Sequence, residues 1–64
     1  MKTYSIIKQE ECQGMTYYEI VGTSISDITE LKNVATGSIF YDILGHFYYL
    51  AYYENGVLKW QPQP

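Results

Sequence analysis

Five stretches of the chain carry the apolar and β-branched pattern of strands, and one carries helical spacing. Residues 3–9 (TYSIIKQ) and 15–21 (MTYYEIV) predict an antiparallel pair, separated by a polar break over residues 10–14. Ser24 followed by Asp27 is a serine-x-x-acid capping box. Behind it Ile25, Ile28, Leu31 and Val34 or Ala35 recur at helical spacing, with Asp27, Glu30 and Lys32 turned outward. Gly37 supplies a stop, so the spacing predicts a helix of about 11 residues, roughly 16 Å long.

Residues 38–44 (SIFYDIL), 47–53 (FYYLAYY) and 57–60 (VLKW) predict three more strands. Two-residue turns at Gly45-His46 and Asn55-Gly56 join them, the second with the strong signature of a type I′ hairpin. The closing QPQP, residues 61–64, predicts a frayed tail, because proline cannot continue a ladder. The expected fold class is therefore α+β, a single domain over residues 1–64. Its order is ββαβββ, an antiparallel sheet of about five strands with one helix packed on one face.

FYYLAYY places large rings on both sides of whatever sheet contains it, since alternate side chains of a strand point to opposite faces. Counting outward from the two turns puts Ile39, Tyr41, Ile43, Tyr48, Leu50, Tyr52 and Val57 on one face. Phe40, Asp42, Leu44, Phe47, Tyr49, Ala51, Tyr53, Leu58 and Trp60 fall on the other. A helix about 10–12 Å across cannot cover five strands about 20–24 Å wide, so one face stays open. Asp42 and Ser38 interrupt the second face, which places the helix on the first. Phe40, Phe47, Tyr49, Tyr53 and Trp60 are then the expected partner-binding or oligomer interface.

Length sharpens the need for such a surface. A chain of 64 residues buries only about 60% of the surface that it exposes when unfolded. Cys12 is the single cysteine and His46 the single histidine, so neither an internal disulfide nor a structural zinc site can be assembled. The remaining devices are a dense core built from eight tyrosines, two phenylalanines and one tryptophan, and self-association, with a homodimer expected.

Charge and chemistry exclude more than they assign. Seven acidic residues face four lysines and no arginine, for a net charge of −3. This is the wrong sign for tracking a phosphate backbone, and nucleic acid is not an expected partner. No apolar run is long enough for a signal peptide or a membrane span, and a lone cysteine suits a reducing compartment, so a cytoplasmic location is expected. No nucleophile, base and orienter can be grouped, and no glycine-rich phosphate loop appears; no enzyme activity, cofactor or metal is expected. A tyrosine-rich face can pair with a second copy, serve as a hot-spot surface for another protein, or stack bases, the last normally beside a positive groove.

Several short stretches span most of the chain in a familiar layout: Met1, Lys2, Tyr4, Ile6, Ile7 and Lys8 at the start; Ser24, Ile25 and Ser26 before the predicted helix; Leu50, Ala51, Tyr52, Glu54, Gly56 and Trp60 near the end. In these the chain resembles the compact type I-F anti-CRISPR inhibitors among the small ββαβββ proteins of phages and mobile elements. The inhibitor that it is similar to carries basic residues suited to a nucleic-acid-facing groove, whereas this chain is acidic. The resemblance thus implies a phage-type protein that binds and inhibits a host protein complex, such as a bacterial CRISPR-Cas defence complex, in the host cytosol. The alternative expectation is a homo-oligomer that sequesters a small molecule or nucleotide between tyrosines.

Overall fold

The computed structural model describes residues Tyr4–Gln63. Thr3, where the first strand was expected to begin, Met1 and Lys2 of the resemblance, and Pro64 of the expected tail lie outside the described residues. One five-stranded sheet dominates, with strands β1 (Tyr4–Cys12), β2 (Met15–Gly22), β3 (Ile39–Asp42), β4 (Phe47–Glu54) and β5 (Val57–Gln63) in spatial order β1-β2-β3-β4-β5. Neighbours pair antiparallel except β2 and β3, which run parallel with Glu19 opposite Ile39 and Gly22 opposite Asp42. The sheet is therefore mixed, not antiparallel throughout.

The expected ββαβββ order is overturned at its centre, because no α-helix forms among the described residues. Only Ile25–Ile28 winds into a single 3-10 turn, closed by Asp27 N–H donating to the Ser24 carbonyl at 3.1 Å. The Ser24 hydroxyl pairs with that of Ser26 instead of capping an amide. Distance explains the choice. Val34 bridges Thr16 in parallel, so the chain leaving Gly22 must return six strand positions, about 20 Å at 3.3 Å each. Residues 23–33 wound entirely as α-helix would advance only about 16 Å. A short 3-10 turn followed by extended chain covers the distance, and the β-branched Ile25, Ile28 and Thr29 give up little helix propensity in the exchange. Asn33, at φ 55°, turns the chain back into the sheet.

That crossover forms the second layer. Ile28 and Val34 are buried, and Ile25 and Leu31 pack beside them, over a sheet face built from Tyr4, Tyr18, Ile20, Phe40 and Ala51. Phe40 lies fully buried beneath Gly22, where a Cβ would come within 2.9 Å of the Tyr4 Cβ and 3.0 Å of the Phe40 ring. The bend before β3 leaves the Tyr18 amide without a strand partner. Buried Ser38 satisfies it, accepting from Tyr18 N–H at 3.0 Å while its hydroxyl donates to the Ala35 carbonyl at 2.8 Å.

The turns divide between agreement and correction. Asn55 (φ 54°) and Gly56 (φ 79°) both adopt the positive φ of a type I′ hairpin, and the expected β4–β5 register holds, with Glu54 opposite Val57 and Ala51 opposite Trp60. Gln13 and Gly14 make the same kind of turn between Cys12 and Met15, so β1 runs through what was expected to be a polar break. At the β3–β4 connection, Asp42 rather than Gly45 sets the geometry. Its carboxylate accepts from the Leu44 and Gly45 amides at 3.0 and 2.9 Å, and its carbonyl from His46 N–H at 2.9 Å. The loop is thus four residues, 43–46, with positive φ at His46, and Asp42 faces Phe47. Residues 61–63, expected in the tail, continue β5; on an edge strand Pro62 can turn its missing amide away from the ladder.

Two substitutions test this packing. Ser38→Ala strands the buried Tyr18 amide and is expected to cost about 1–3 kcal/mol. Gly22→Ala forces a methyl group into Tyr4 and Phe40 and is expected to cost a similar amount, about 1–3 kcal/mol. Urea unfolding midpoints measure both, and a loss below about 0.5 kcal/mol for either would contradict the contact assigned to it.

Candidate functional site

The four-residue loop shifts the β3–β4 register by two residues, and a shift of two preserves which side chains share a face. The grouping expected from the turns is therefore retained, but the crossover lies over the opposite group. Phe40 is completely buried; Tyr49 and Trp60 are half-buried against the core. The Phe40 and Tyr49 rings meet edge to face at 6.0 Å, and half-buried Phe47 tilts onto Tyr49 at 5.1 Å. Tyr53 remains partly exposed at its ring, while its hydroxyl donates to the Val34 carbonyl at 2.6 Å and pins the crossover. The face carrying Phe40, Phe47, Tyr49, Tyr53 and Trp60 was expected to be open, and it is the one the crossover covers, completely at Phe40 and in part at the other four.

The open face is the other one, and the register builds it row by row. Its central row reads Lys8, Glu19, Ile39, Leu50 and Gln61 from β1 to β5. The row toward the β3–β4 loop holds Ser5, Val21, Tyr41, Tyr48 and Gln63. On the opposite side, one step from Glu19 and Leu50, lie Tyr17 beside Glu10 and Tyr52 beside Lys59. Ile39 and Leu50 thus sit at the centre of a frame of four tyrosines, with charged and amide side chains toward both edges. Tyr41 and Tyr48 are each 37% exposed, and Tyr17, Val21, Ile39, Leu50 and Tyr52 are half-buried by one another. An apolar centre with tyrosines around it and a polar rim is the anatomy of a protein-binding patch.

Two phenols are held by carboxylates. Tyr17 on the open face donates to Glu19 at 2.8 Å, and that bond, partial burial and the charges of Glu19 and Glu10 raise its pKa. On the covered side Tyr4 donates to Glu30 of the crossover, which raises its pKa through the bond first, then burial, then nearby negative charge.

The residues with reactive chemistry do not meet. Cys12 is exposed at the β1–β2 turn, and His46 sits in the loop beyond β3, near the far end of β2 and about 23 Å away along that strand. Among the described residues no three His, Cys, Asp or Glu side chains gather as a metal-binding set. No described helix is long and apolar enough to cross a membrane. A second exposed feature is the loop tip, where Leu44 is 70% exposed and Ile43 47%.

Within β3, β4 and β5 the expected grouping of side chains holds, because parity survives the change in loop length, but Ile43 and Leu44, expected on the two faces, lie in the loop. The contribution of β2 was missed. Tyr17, Glu19 and Val21 join the open face only because β2 lies beside β3, and the alternation in MTYYEIV was the available signal. No protein-family model matches this chain, and no curated protein or solved structure matches it.

Trp60→Ala is expected to destabilise the fold by about 2–4 kcal/mol, since it empties a core contact, and Tyr48→Ala on the open face by less than about 1 kcal/mol. Equal losses in urea would contradict the assignment of faces. For pH, Tyr4 and Tyr17 hold their protons more tightly when folded than the ordinary tyrosine value of about 10. Their contribution is therefore complete below about pH 10 and is lost as pH rises through the raised folded values. Unfolding midpoints should fall above that pH, less steeply in Tyr4→Phe and Tyr17→Phe, and phenolate absorbance should show two late-titrating groups in the wild type.

Proposed function

We propose that this chain is a non-catalytic protein-binding domain and that the open face around Ile39 and Leu50 is its binding surface. The observation that carries the reading is the complete row structure of that face. Seven apolar or aromatic side chains from three adjacent strands, Tyr17, Val21, Ile39, Tyr41, Tyr48, Leu50 and Tyr52, remain uncovered by the crossover. Tyrosine suits such a role, since it offers large contact area with few rotatable bonds and keeps a hydroxyl for water when the partner is absent. The net charge of −3 and the absence of arginine favour a protein over a nucleic acid as the occupant.

The exposed, unpaired Cys12 fits a reducing cytosol. The resemblance to phage-type inhibitors makes a bacterial defence complex the first foreign protein to look for. Of the stretches that carry the resemblance, the first strand and the Asn55-Gly56 hairpin are present in the fold and the capped helix is not.

The test uses immobilised chain and a bacterial cytosolic lysate that also contains an untagged copy of it. Wild type should retain a defined protein, and so should Leu44→Ser at the loop tip. Leu50→Lys, which sets a charge in the centre of the face, should reduce retention at least about tenfold while leaving the circular dichroism unchanged. Retention indifferent to Leu50→Lys would reject this face as the binding surface.

A further inference from the structure

We infer that the occupant of the open face is a second copy of this chain, packed face to face about a two-fold axis that runs along β3. The inference rests on the open face being a binding surface and adds what binds there and in which orientation.

The charges on the face select the orientation. Glu10 on β1 and Lys59 on β5 lie at the same level, because Glu10 pairs with Tyr17, Lys59 pairs with Tyr52, and both tyrosines stand one step from the Glu19, Ile39 and Leu50 row. Four strand spacings, about 19 Å, separate the two edges, so these charges cannot meet within one chain. A two-fold axis along β3 lays β5 of the second copy over β1 of the first without changing level. Glu10 then faces Lys59 of the second copy, and Lys59 faces its Glu10, so one charge pattern supplies two complementary contacts. The same operation sets Ile39 on Ile39 and Tyr41 on Tyr41 at the axis, and Tyr17 against Tyr52 on either side.

The competing face-to-face arrangement has its two-fold axis across the strands, and it fails on the same charges. With that axis on the row of Ile39 and Leu50 it returns each strand to lie over itself, so that Lys8 meets Lys8 and Glu19 meets Glu19. Each such contact sets a charge against its own copy, which costs affinity. In the favoured arrangement Glu19 enters the contact already accepting a hydrogen bond from Tyr17 and standing opposite Lys8. Aligned sheets cross at about 30°, which displaces residues 10 Å from the axis by only about 5 Å, within the reach of lysine and glutamate side chains.

Edges and area point the same way. Strand addition is discouraged at both edges, by the bulge between Ile6 and Lys8 that leaves Ile7 outside the ladder and by Pro62 on β5. The two longest dimensions of the chain are 31 and 23 Å, a projected face on the order of 700 Å², close to the roughly 800 Å² per partner of a standard interface. Burying the open face also adds apolar contact to a domain that is short of it for its length.

Sedimentation and light scattering on the full chain across micromolar concentrations test this, with circular dichroism checking each fold. Wild type should be a dimer. Glu10→Lys and Lys59→Glu, each reversing two symmetric contacts at exposed positions, should each raise the dimer dissociation constant about tenfold or more, and the double exchange should bring it back to within about threefold of wild type. Leu50→Lys should give a folded monomer. A wild-type monomer up to about 0.5 mM would overturn the second copy as occupant; should the lysate experiment still capture a foreign protein in a Leu50-dependent way, the binding face itself stands. A dimer lost with Leu50→Lys but indifferent to the charge exchange overturns the axis. A dimer indifferent to all these variants forms through another surface and overturns the second copy as occupant of this face.

Discussion

Because β2 and β3 run parallel, the chain between them has to leave one end of the sheet and re-enter near the other, and it must do so over one face. That requirement fixes where residues 23–38 lie and which side chains they bury. It also makes Val34 a wedge beside Thr16, with Thr16 N–H donating to the Asn33 carbonyl and Ala35 N–H to the Thr16 carbonyl at 2.7 and 2.8 Å. Ser38 restores the ladder after the bend. Without its hydroxyl the parallel pairing would begin with an orphaned amide in the core, an expense of the same order as a sizeable share of the stability of so small a domain.

One crossover covers one face, and the two faces of this sheet are both aromatic. Alternation in a strand as rich in rings as β4 sends Phe47, Tyr49 and Tyr53 one way and Tyr48 and Tyr52 the other. What distinguishes the faces is fit. Gly22 leaves room on the covered face for Phe40, and Phe40, Ile28, Val34 and Ala51 lie there with almost no exposure. The open face has no small residue at its centre; Ile39, Leu50 and the tyrosines form a broader, flatter surface with hydroxyls at its margins. Such a surface tolerates water, whereas the covered side would expose the residues of the core. In the proposed dimer the charges toward the edges set how the second copy lies, since they are too far apart to satisfy each other within one chain.

Particular residues show how much of this was legible. Asn55-Gly56 dictated both its turn type and the β4–β5 register, because positive φ at two successive positions leaves few alternatives. Gly45-His46 misled, because the Asp42 carboxylate ends β3 two residues earlier, a competition between side chain and backbone that glycine position alone does not reveal. The helical spacing of Ile25, Ile28 and Leu31 was real, yet those residues reach the core equally well from a 3-10 turn and extended chain. By pattern alone Asp42 and Ser38 are polar interruptions of an exposed face. In the fold one caps a loop and the other is a fully satisfied core hydroxyl.

Read alone, the sequence gives five strands, though not their ends, and tells which side chains of the last three share a face, since periodicity and turn chemistry are local. Which of the two aromatic faces the crossover covers is settled by long-range pairing. The choice follows from placing β2 parallel beside β3, a contact between segments some twenty positions apart, and from the span that residues 23–33 must bridge. Neither the pairing partner nor the span is encoded in a local pattern, so the same alternation supports both outcomes until the crossover is laid on one side.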